Sequence, residues 1–298
     1  MTASNPFTVE DALEWGAGRP HGHQRLRRAF DRLAVALATL GTARAVAVVG
    51  ALGWTGHLLG LHEPSASEVR ALIAPRSPGT VARRIGALHF RNRAAIALVA
   101  AGRTADLAAR VHRGPGSGAA ALVTSGGPRL VVAAHIGAFF GLRAALHASP
   151  RPVLMVRDQP LGTPEARARV LKEAVDHVRA GGLVVTTLDG PGGTSSHEVD
   201  CLGRRIVFRR GPLALSRITG VPIVPAVCAW TADHGIDVRL HEPVHASVKG
   251  EAELEMASAL ARWLEGYLRA EPHQLWPSTL RYFLSAPPSA SSNSRTAS

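Results

Sequence analysis

Four short apolar runs constrain this chain more than any other feature: RLVVAAH (129–135), PVLMVRD (152–158), GLVVTTLD (182–189) and VPIVPAVCAW (221–230). They are brief, rich in β-branched residues and apolar on both faces, the pattern of parallel strands buried from both sides. Segments of helical character lie between them: GAFFGLRAALHA (137–148), PEARARVLKEAVDHVRAG (164–181) and RGPLALSRITG (210–220). Alternating strands and helices predict an α/β fold with a mostly parallel central sheet flanked by helices. GIDVRLHEPV (235–244) adds an edge to that sheet, and EAELEMASALARWLEGYLRAEP (251–272) is an amphipathic helix ending at Pro272.

Ahead of the sheet, 66–113 has helical periodicity broken at Pro75, Pro78 and Gly79, and GPGSG (114–118) closes it. The expected organisation is an N-terminal helical segment over 1–65, an α/β domain over 66–284 and a disordered tail over 285–298. The stretch from Leu33 to Leu61 is apolar but interrupted by Arg44, and its uninterrupted part is shorter than the roughly 20 residues a membrane span needs. It reads either as a membrane-peripheral helix or hairpin flanked by RLRR (25–28), or as a pair of buried helices split at Gly41. The first 28 residues place acids before bases and are not read as a signal peptide.

With 298 residues, 46% of them hydrophobic, the chain can bury a large core. Its formal charge is +12, yet Lys172 and Lys249 are its only lysines. The arginine excess points either to an anionic partner (a membrane surface, nucleic acid or a phosphopantetheine carrier) or to a coding bias that also raises alanine and glycine. No nucleic-acid motif accompanies the charge, so nucleic acid is not expected as a partner. Cys201 and Cys228 lack metal-ligand spacing, no metal is expected, and a reducing cytoplasm is the default compartment.

Ligand sites in open parallel sheets lie beyond the carboxyl ends of the strands. The first run ends at His135, the second at Arg157 and Asp158, the third at Asp189. His135 at a strand-to-helix junction reads either as a general base, with the following helix directing N–H groups at a developing anion, or as a histidine capping a strand end. Gly137 allows close approach of the chain and reads as a substrate-binding position at that edge. Gly190 and Gly192, in DGPGG, form a turn suited to binding phosphate or positioning an acid, although no Walker lysine follows. Arg157 reads as a phosphate clamp or as an ion pair with Asp158. Arg209 and Arg210, with Arg204 and Arg205, flank IVF and read as substrate-binding groups or as a solvated hairpin surface. A hydrolase finds little support, since no Gly-x-Ser-x-Gly elbow is present.

The order AAHIGAFFG, LVVTTLDGPGG, LGRRIVFRRGPLALSRITGVPIVPAV, RAEPHQLWPSTLRYF resembles the bacterial lipid A biosynthesis lauroyl/myristoyl acyltransferases. It is similar also to the mycobacterial phosphatidylinositol mannoside acyltransferases, within the glycerolipid (lysophospholipid) acyltransferase superfamily. The resemblance spans about Ser67 to Phe283. It implies a glycerolipid-acyltransferase-like fold on the cytoplasmic membrane face, with no cofactor. The implied activity is transfer of a fatty acyl chain from an acyl-carrier-protein or acyl-CoA thioester to a hydroxyl or amine of a lipid, glycolipid or specialised-metabolite acceptor.

The family pairs its catalytic histidine with an acid five residues later. His135 matches the histidine, but Phe140 stands where the acid belongs. Three readings follow. Asp189 partners His135 from another strand, directly or through water; a backbone carbonyl orients the imidazole; or the chain is a catalytically degenerate homologue that binds acyl chains or a partner. Phe139 and Phe140 read as core or pocket wall. Trp276, Arg281 and Tyr282 match the family's C-terminal signature and are expected to pack on the sheet.

Overall fold

The computed structural model describes residues 65–289 except 125, 148, 157–162, 190–195 and 246–251; ahead of these it describes 33, 36, 48, 51 and 55, and at 97 and 100 the backbone alone. The apolar runs form strands β1 (Leu130–Ala133), β2 (Val153–Met155), β3 (Leu183–Thr187) and β6 (Ile223–Trp230). A hairpin of β4 (Ser196–Cys201) and β5 (Arg204–Arg209) stands apart, and β7 (Ile236–Leu240) follows β6. The main sheet runs β2-β3-β1-β6-β7, with the first four strands parallel and β7 antiparallel at the edge.

The helices are α1 (Ala66–Ile73), α2 (Pro78–Ala100), α3 (Thr104–Ala108), α4 (Gly118–Val123), α5 (Phe140–Ala145), α6 (Pro164–Arg179), α7 (Arg210–Thr219), α8 (Ala252–Ala270) and α9 (Pro277–Ser285). Local chemistry sets several of their ends. Ser65 and Glu68 form a reciprocal capping box on α1, and Thr163 caps α6 ahead of Pro164. Because successive strand residues face opposite sides, Leu130 and Val132 join one core with α1, α6, α7, α8 and α9. Val131 and Ala133 join a second core with α3, α4 and α5, and α2 contributes to both.

Polar alternation in SHEVDC gives β4 one exposed and one covered side, and α8 covers it. Glu265 accepts the Leu202 N–H at the hairpin turn. From α9, the Tyr282 hydroxyl accepts the Val207 N–H at 2.9 Å and lies 3.3 Å from the Val207 carbonyl. Tyr282→Phe strands that N–H, so it should cost about 1–2 kcal/mol. Thermal unfolding is the check, and a fall of roughly 2–8 °C is expected.

The expected tail boundary moves. α9 runs to Ser285, and the next residues strap the hairpin: Arg205 N–H donates to the Pro287 carbonyl and Ser289 N–H to the Gly203 carbonyl. The free backbone edge of β5 supplies these partners, which composition alone does not reveal. The Leu33–Leu61 segment lies outside the described residues apart from five helical, exposed positions. Among the described residues, no helix is long and apolar enough to cross a membrane.

Candidate active site

The register of the central strands builds the site. β1 and β3 are parallel neighbours with Ala133 opposite Thr187, an offset that, carried two residues further, sets His135 beside Asp189. The Leu188 N–H still donates to the Ala133 carbonyl, so the pairing continues past the named strands. Asp189 is then held by the hairpin through a bridge to Phe208, with the Arg209 N–H on the Leu188 carbonyl.

His135 Nδ1 lies 3.0 Å from Asp189 Oδ1, and the His135 backbone N–H donates to both carboxylate oxygens at 3.1 and 3.0 Å. An ionised carboxylate only accepts, so Nδ1 carries the hydrogen and Nε2 the lone pair. The Thr279 hydroxyl donates to the His135 carbonyl at 2.7 Å. Backbone and ring are thereby fixed from three sides. The pair is well covered: His135 is 7% exposed and Asp189 3%.

Aromatic rings flank the imidazole. Phe139 lies 5.0 Å from it between ring centroids and Trp276 6.0 Å, while Phe140 stacks on Trp276 at 6.3 Å with 19° between planes. Phe140 therefore takes part in an apolar wall where the resembled family would have its acid, and the carboxylate against Nδ1 comes from the neighbouring strand.

Gly137 has a different place from the one expected. Its φ is +58°, and a Cβ there would lie 2.1 Å from the Cys228 carbonyl oxygen, so the close approach it permits is to β6. Its N–H donates to the Gln274 carbonyl, and the Ala138 N–H to the Cys228 carbonyl. These two N–H groups are consumed within the fold and do not aim at a developing anion. The Gly137 carbonyl accepts from Asn92 Nδ2 at 2.8 Å and Trp276 Nε1 at 2.7 Å, and Asn92 accepts in turn from Trp230 Nε1 at 2.9 Å.

Arg209 stands where the hairpin meets Asp189, its side chain partly buried. Arg210 is committed elsewhere: its Nε bonds Glu253 at 2.5 Å, and Arg217 at 2.8 Å and His197 at 3.2 Å meet the same carboxylate. That cluster holds β4, α7 and α8 together, and half-exposed Arg210 belongs to it and not to the His135 edge. Burial is the largest influence on Glu253, but its three basic partners outweigh it and keep the carboxyl below its ordinary range. Arg157, Asp158, Gly190 and Gly192 lie outside the described residues.

Cys228 and Cys201 are buried, and burial pushes both thiols well above their ordinary range, which keeps them protonated and poor nucleophiles. Among the described residues no group of three or more His, Cys, Asp or Glu side chains could hold a metal ion.

Asn92, Trp276 and Thr279 support the site and were not singled out for it from the sequence. Asn92 carried one usable signal, an amide within the apolar periodicity of HFRNRAAIALVA.

No protein-family model matches the chain, and no curated protein matches it. Among solved structures it is similar to the 1-acyl-sn-glycerophosphate (LPA) acyltransferase PlsC from Thermotoga maritima, at a TM-score of 0.35 and 15% identity over 69% of this chain and 93% of that one. A likeness of that degree leaves the chemistry of the site to its own geometry.

Proposed function

We propose that the protein is an acyltransferase that moves a fatty acyl chain from an acyl-carrier-protein or acyl-CoA thioester to a hydroxyl or amine of a lipid, glycolipid or specialised-metabolite acceptor. The observation that carries this reading is the 3.0 Å contact between His135 Nδ1 and Asp189 at the carboxyl edge of the sheet. It presents Nε2 as the base. Nε2 takes the acceptor's proton as its oxygen or nitrogen attacks the thioester carbonyl, Asp189 stabilises the imidazolium, and collapse of the tetrahedral intermediate expels the thiolate, which takes that proton from Nε2 and restores the neutral base. Arg209 is suited to an anionic part of either substrate. Peripheral association with the cytoplasmic membrane face belongs to the same proposal.

A second reading, an acyl-chain binder without turnover, is favoured by one observation: His135 is 7% exposed and lies among Phe139 and Trp276. Thioester consumption separates the two. Purified protein is given long-chain acyl-carrier protein or acyl-CoA with a panel of hydroxyl and amine acceptors. Turnover that disappears in His135→Ala supports the enzyme. Acyl-chain binding without turnover from any donor supports the binder.

A further inference from the structure

The rim where β6 turns into β7 collects positive charge that the His135 site does not use. Asn92 of α2 is bonded to Trp230, so the stretch of α2 backbone that carries Arg91 passes near the end of β6. On the other flank the Arg110 carbonyl accepts the Ile236 N–H at 2.9 Å, which fixes Arg110 at the start of β7. The turn between these strands carries His234 in the left-handed region, at φ +62°. Burial first, then the charges of Arg91 and Arg110, hold the His234 imidazole below its ordinary range against the opposing pull of Asp233. Burial likewise lowers Arg91, and it lowers Arg110 against the opposing pull of Asp106.

This charge is poorly compensated. Arg91 Nε and His234 Nδ1 are buried without a hydrogen-bond partner. The nearby acids are engaged elsewhere: Asp106 accepts from Arg103 Nε at 2.7 Å, and Asp233 accepts from the Thr231 hydroxyl and lies 3.7 Å from His112 Nε2. Among the described residues, neither Arg91 nor Arg110 has a carboxylate within ion-pair distance. Two partly desolvated guanidiniums beside an imidazole raise the energy of the free protein, and a bound dianion would relieve it.

We propose that Arg91, Arg110 and His234 form a binding site for the phosphate group of a phosphoester substrate. Its position agrees with such a role. Ala226 of β6 is level with Ala133, so Cys228 is level with His135 and the turn begins two residues later, beyond Trp230. At about 3.3 Å per residue, the phosphate would sit on the order of 10 Å from the imidazole along the same edge. The identity of the phosphoester rests on the acyl-transfer reading: it is either the phosphopantetheine phosphate of the thioester donor or a phosphate on the acceptor.

The test is equilibrium binding by calorimetry, with coenzyme A, pantetheine, glycerol 3-phosphate and inorganic phosphate as probes. It compares the wild type with the double variants Arg91→Gln/Arg110→Gln and Arg91→Lys/Arg110→Lys. The wild type should bind at least one phosphoester, the Gln pair should bind it at least about tenfold more weakly, and the Lys pair should recover most of the loss. Tight coenzyme A beside weak pantetheine assigns the site to the donor, and preference for glycerol 3-phosphate assigns it to the acceptor. Equal affinity in wild type and Gln pair, no phosphoester binding, or a Lys pair as weak as the Gln pair would each overturn the proposal. Because no turnover is measured, these outcomes leave the acyl-transfer reading to its own assay.

Discussion

In the proposed acyl transfer, Asp189→Asn should lower kcat by on the order of 10^4 while leaving KM within a few fold. An amide can satisfy the His135 backbone N–H through its oxygen, but presenting its NH2 to Nδ1 selects the tautomer with the hydrogen on Nε2. The base is then blunted and its imidazolium unpaired. The corresponding Asp-to-Asn change in a serine-protease triad, with geometry intact, costs about that factor. His135→Ala should cost at least as much. The double variant should be no slower than His135→Ala alone, because groups that act as a unit do not contribute additively. Independent effects that multiply in the double variant would sink the assignment of Asp189 as the partner of His135. Single-turnover acyl transfer from a radiolabelled thioester measures all three variants.

The same geometry predicts what Phe140 does not do. Nδ1 is already satisfied by Asp189, and Phe140 is stacked on Trp276. An acid at position 140 would therefore meet an aromatic wall and leave the imidazole's partner unchanged. The carboxylate against Nδ1 reaches it across the sheet, from Asp189.

The strands were legible because buried parallel strands are continuous apolar runs, and the ionisable residues at their ends were legible because the runs stop there. What brings His135 and Asp189 into contact was not legible. Chain order would make β1 and β2 neighbours; the fold inserts β3 between them, and only that order converts two residues at one edge into a pair 54 positions apart. The hairpin over 196–209 was weakly signalled, since SHEVDC is polar enough to pass for a loop until α8 and the residues after α9 cover it. The partners of Arg210 and Gly137 were not legible for a shared reason. Residue type showed what each could bind, while Glu253 and Cys228, which each of them meets, lie far away in sequence.

Gly137 carries the second large prediction. Gly137→Ala puts a methyl group 2.1 Å from the Cys228 carbonyl oxygen, within a central strand whose backbone cannot swing aside. It also asks alanine to hold φ at +58°, which alone costs about 1–2 kcal/mol. Relief by moving the turn would pull the Gly137 carbonyl from the Asn92 and Trp276 donors, leaving buried N–H groups unpaired at about 1–3 kcal/mol each. The expected total is about 4 kcal/mol or more, among the large single-residue effects. In a domain of this size that lowers the thermal midpoint by roughly 8 °C or more. The protein that still folds should lose activity beyond its loss of stability, because His135 is two residues away and shares the displaced turn. A Gly137→Ala variant that melts within about 2 °C of the wild type would show that β6 yields to the turn, and that the carbonyl contact is not what fixes His135 against Asp189.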